Sequence, residues 1–91
     1  MAICVHFVPV SMNAGQYDQA VKMIAEAGQG APAGRLYHVC FGDGDKLQVI
    51  DIWRSRAEWD DFSPFVAKAS EQLGVEVASI AIEPVHNIIT P

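Results

Sequence analysis

Residues Ile3 to Val8 read I-C-V-H-F-V, a run of branched and aromatic side chains too short for a helix, and Pro9 lacks the N–H that would continue a ladder. A first strand is predicted there. Tyr17, Ala20, Val21, Ile24 and Ala27 then recur at three- and four-residue steps, which aligns them on one face of a helix from about Gly15 to Ala27, with Asn13 or Ser11 as its cap. The stretch from Gly28 to Gly34 holds three glycines and a proline and ends that helix. It follows a helix and opens a strand, the reverse of the order in a phosphate-binding glycine loop.

Leu36 to Phe41 and Lys46 to Trp53 are two strand-like runs separated by Gly42-Asp43-Gly44-Asp45, and Asp-Gly favours a tight hairpin. With Asp43 and Gly44 as the central turn residues, Cys40 lies opposite Leu47, His38 opposite Val49 and Leu36 opposite Asp51, so that His38 and Asp51 share a face diagonally. Ser55-Arg56-Ala57-Glu58 is a capping box that starts a second helix. Its apolar stripe runs through Phe62, Phe65, Val66, Ala69 and Leu73 to Gly74, and Pro64 is expected to kink or divide it. The last apolar segment is broken by Pro84, leaving Val85 to Ile89 as the expected final strand.

The element order is β-α-β-β-α-β. Right-handed crossovers then set the first and third strands side by side at the centre of a four-stranded antiparallel sheet with both helices on one face, a ferredoxin-like α+β sandwich formed by residues 1–91 as one domain. Both sides of the strands are largely apolar, yet two helices cover only one. A homodimer through the open sheet face resolves this excess.

Composition sharpens the picture. Of the 91 residues 51% are apolar and 19% charged, and the mean hydropathy is +0.17. A net charge of −5 with six scattered Lys and Arg gives no footprint for nucleic acid or an anionic membrane. No apolar run nears the roughly 18 residues that span a bilayer, and no basic segment leads into an apolar signal, so a cytoplasmic protein is expected. Cys4 and Cys40 form no CxxC pair and are expected to be reduced and buried.

The element order, the length, and the phrases GRLYHVCFGDGDKLQVIDIWRSRAEWDDF and PVHNII resemble the dimeric α+β barrel superfamily, on its antibiotic-biosynthesis-monooxygenase-like side. The resemblance spans nearly the whole chain and implies a barrel made by two sheets, with a pocket in each subunit between sheet and helices. Relatives oxygenate aromatic polyketides without metal or flavin, cleave haem, cyclise or isomerise small molecules, or have no established activity. Haem-cleaving relatives carry an asparagine on the first strand and a histidine on the second helix; neither occurs between Ile3 and Val8 or between Ser55 and Leu73.

His6, His38 and His86 are the residues best suited to acid–base work near neutrality. His38 with Asp51 is the sharpest pair: the carboxylate fixes one ring nitrogen and leaves the other as a base, although a hydrogen-bonded histidine at a dimer seam satisfies the same pattern. His6 and His86, on neighbouring strands, are candidates for the substrate site; they lack the third and fourth ligands of a metal centre, and no HxH, HExxH or CxxC occurs, so no metal is expected. Tyr17 and Trp53 are expected to wall a flat aromatic ligand. Two functions follow: an enzyme without cofactor, of the monooxygenase or cyclase type, acting on a planar or conjugated substrate with His38 as base and Asp51 as its orienter, or a ligand-binding or assembly module without catalysis.

Overall fold

The computed structural model describes residues 1–91. β1 (Ile3–Pro9) leads into α1 (Ala14–Glu26), β2 (Arg35–Phe41), β3 (Gln48–Trp53), α2 (Arg56–Gln72) and β4 (Val77–Pro84). The strands form one antiparallel sheet in the order β2-β3-β1-β4, with β1 and β3 central as the crossovers require. The ferredoxin-like arrangement expected from the pattern is present.

Each helix start follows from side-chain chemistry. Asn13 caps α1 by accepting from the Gln16 N–H at 2.8 Å, while Gln16 reaches back to the Asn13 N–H at 2.9 Å. Ser55 caps α2 by accepting from the Glu58 N–H, and Arg54 pairs with Glu58 beside it. α2 is one continuous helix through Pro64, which does not divide it. Pro64 leaves the carbonyl of Asp60 without its helical donor, and the Ser63 hydroxyl donates to that oxygen at 3.2 Å.

The hairpin register and the final strand also differ from expectation. The hairpin turn is closed by the Lys46 N–H donating to the Asp43 carbonyl, and Leu47 donates to Met12 rather than to β2, so β3 begins only at Gln48. The register therefore shifts by two, placing His38 directly opposite Asp51 and Cys40 opposite Val49. Gly42 makes this wider loop possible: its φ is +123°, and a Cβ there would lie 2.5 Å from the Lys46 carbonyl oxygen. The final strand is Val77–Pro84, not Val85 to Ile89, because Val77 to Ile82 pair with β1 ahead of the proline. Past Pro84 one bond, from the Val85 N–H to the Ala2 carbonyl, continues the pairing.

The pleat sorts the side chains. Ile3, Val5 and Phe7 of β1 point toward the helices and are buried, together with Trp53 of β3 and Trp59, Phe62 and Ala69 of α2. Each such apolar side chain contributes about 1.5 to 3 kcal/mol by leaving water. The alternate positions face away from the helices, and Tyr37, Val39 and Phe41 of β2 remain 44%, 53% and 39% exposed there. No helix is long and apolar enough to cross a membrane. Cys4 and Cys40 are free thiols, half-buried rather than buried.

Candidate active site

The shifted register brings His38 and Asp51 into direct contact, with Nδ1 of the imidazole 2.5 Å from Oδ1 of the carboxylate. As a carboxylate, Asp51 can only accept, so Nδ1 carries the proton and Nε2 presents its lone pair. The Tyr17 hydroxyl of α1 lies 2.5 Å from that nitrogen and donates to it, its ring nearly parallel to the imidazole. On the other side the Trp53 indole N–H donates to Asp51 Oδ2 at 3.2 Å. Tyr17, His38, Asp51 and Trp53 thus form one continuous hydrogen-bonded line from helix α1 through the sheet into the core.

Burial grades along this line. The His38 side chain is 27% exposed, that of Asp51 7%, and Trp53 is fully buried. Trp53 packs at 5.0 Å from the Phe62 ring and 6.0 Å from that of Trp59, so the indole that orients Asp51 is itself held by the core. Burial pushes the Tyr17 phenol above its ordinary value, the Cys40 thiol and the carboxylates of Asp51 and Asp18 push the same way, and the Arg35 guanidinium opposes them. Tyr17 therefore enters the line as a neutral O–H donor. Burial also raises the Cys40 thiol, with Asp18 adding to it.

A cavity of about 150 Å³ opens between sheet and helices. Its walls are mainly apolar, with Phe7, Ile24, Phe62 and Val66 among them, and Tyr17, His38, Asp51 and Arg35 bring polar groups to it. The other predicted site residues lie elsewhere. Trp53 does not line the mouth as expected; it sits beneath Asp51 and acts on the site through that carboxylate. His6 points to the open sheet face, where Nε2 is 2.7 Å from the Gln48 side-chain oxygen and the ring stacks on Phe41. His86 is exposed beyond the end of β4, near the N-terminus, while His6 pairs with Ala81 within the strand; the two histidines do not converge. Arg35 carries only a slight signal in the sequence: a lone cation between Lys22 and Lys46 at the start of a strand.

No family model matches the chain, and no curated protein does. Solved structures do. A protein from Chloroflexus aurantiacus J-10-fl assigned as an antibiotic biosynthesis monooxygenase superposes with a TM-score of 0.65 at 18% identity, covering 97% of each chain. This chain has the fold of the antibiotic-biosynthesis-monooxygenase-like dimeric α+β barrel proteins. The monooxygenase ActVA-Orf6 of Streptomyces coelicolor, solved with nanaomycin D, gives 0.60 at 18% identity over 99% of this chain and 91% of that one. SnoaB from Streptomyces nogalater, a cofactor-independent oxygenase, gives 0.60 at 12% identity over 99% and 96%.

Proposed function

We propose that the chain is a homodimeric oxygenase that needs no bound cofactor and acts on a planar, conjugated substrate bearing an acidic hydroxyl. The observation that carries this reading is the Tyr17–His38–Asp51 line ending at an apolar cavity. The fold shared with a cofactor-independent oxygenase and with a monooxygenase solved with nanaomycin D is consistent with it.

The chemistry runs through this chain's own groups. As a substrate hydroxyl gives its proton to the Tyr17 oxygen, Tyr17 passes its own to His38 Nε2, and Asp51 stabilises the imidazolium without taking the proton. The substrate anion donates electrons to dioxygen and forms a C–O bond at an electron-rich CH₂ carbon. Cleavage of the O–O bond leaves one oxygen on that carbon as a carbonyl, and the other departs as water with the two carbon-bound hydrogens. The CH₂ group supplies all four electrons, and the apolar walls keep bulk water from the anion. Association of two copies through the open sheet face would bury Tyr37, Val39 and Phe41, whose exposure is otherwise unfavourable.

Oxygen uptake with hydroxylated anthrones and smaller enolic ketones tests the reading. In the presence of a chelator and without added flavin, one dioxygen should be consumed per ketone formed, with one atom from labelled dioxygen in the product. A ligand that binds in the cavity without oxygen consumption across the panel would favour the binding-module reading instead.

A further inference from the structure

Arg35 is the one cationic side chain that lines the cavity, and the proton line does not use it. It opens β2, is half-buried and lies in the cavity wall. Among the six Lys and Arg residues, Arg54 and Arg56 are paired in solvent with Glu58 and Asp60, whereas Arg35 has no carboxylate partner. Its guanidinium carbon sits 5.7 Å from the centre of the Phe62 ring, and Nη2 donates to the Gly30 carbonyl at 3.2 Å. The guanidinium has five N–H donors, so most of its capacity is unspent. A cation drawn partly out of water against an aromatic face, in a chain of net charge −5, loses hydration with no anion to offset it.

The cavity therefore carries two kinds of polar group. Tyr17 and His38 can exchange a hydroxyl proton, and the planar guanidinium of Arg35 suits the paired oxygens of a carboxylate. The Arg35 charge also acts on the Tyr17 phenol. The volume of about 150 Å³ matches an apolar cavity that admits benzene, so one ring fills it.

We infer that the cavity takes a one-ring hydroxyaromatic anion, its hydroxyl on Tyr17 and its carboxylate or equivalent oxyanion on Arg35. This narrows the ligand class and rests on the reading of the cavity as the substrate site, but it concerns binding and not oxygen chemistry.

Calorimetric titration with 2-, 3- and 4-hydroxybenzoate, their methyl esters and benzoate tests it. At least one isomer should bind about tenfold or more tightly than both its ester and benzoate, as charge-assisted contacts imply. R35Q should bring that acid down to the affinity of its ester, R35K should keep part of the preference, and Y17F should bring the acid down to benzoate. For the wild type, raising salt from about 50 to about 500 mM should weaken the acid and leave the ester unchanged, a readout that does not depend on any variant folding. Equal binding of acid and ester, a preference that survives R35Q, or no binding by any isomer would overturn the inference. The expected pattern without oxygen uptake by any compound would remove the oxygenase reading alone; uptake with neutral fused-ring phenols and no hydroxybenzoate binding would remove this inference alone.

Discussion

His38→Ala lowers oxygen turnover by roughly 10²- to 10⁴-fold, the usual contribution of a positioned general base, while leaving the fold intact. The imidazole is partly exposed on edge strand β2, so its loss opens no core cavity, and ligand affinity should change far less than rate. Asp51→Asn should reproduce most of the rate loss, because an amide can offer its own N–H to Nδ1 and leave the proton on Nε2, where it cannot receive another from Tyr17. Steady-state oxygen consumption across pH checks both variants; unchanged rates in His38→Ala would take the residue out of the mechanism.

Trp53→Ala is the most damaging single truncation expected for stability. The indole is fully buried among Trp59 and Phe62, and removing such a side chain costs about 3 to 5 kcal/mol. Asp51 Oδ2 also loses its donor, and a hydrogen bond to a charged group is worth about 1.5 to 3 kcal/mol. Against a total of about 5 to 15 kcal/mol the variant should be largely unfolded or melt far below the wild type, as urea denaturation followed by circular dichroism would register. Trp53→Phe separates the two effects: it keeps much of the packing, so it should fold, yet the unsupported carboxylate should still slow turnover.

The helices, the strand order and the uncovered sheet face were legible because each rests on periodicity and capping that a linear reading can see. Asn13, Ser55 and the alternating residues of β1 carry that information locally. The His38–Asp51 partnership was legible as a shared face but not as a direct pair, since the register depends on Met12 capturing the Leu47 N–H, a contact between segments far apart in sequence. Trp53 looked like a wall because it stands at a strand end; only the packing of α2 across it shows that its polar edge serves Asp51. Arg35 left almost no trace, because an unpaired cation is recognised by the absence of neighbours, and neighbours are a property of the folded chain. The apolar residues around His86 suggest a strand there, whereas the pairing capacity of β1 is used by residues up to Pro84.

The sheet is one residue thick, and its two sides are committed to different tasks: Val5, His38 and Asp51 look toward the helices, while His6, Gln48 and Phe41 look away. If two copies join along the outward side, each keeps a private chamber behind its own strands, with no wall lent by its neighbour. Saturation should then be hyperbolic, with one equivalent per chain, and a mixed pair carrying one His38→Ala subunit should retain half the turnover of the parent.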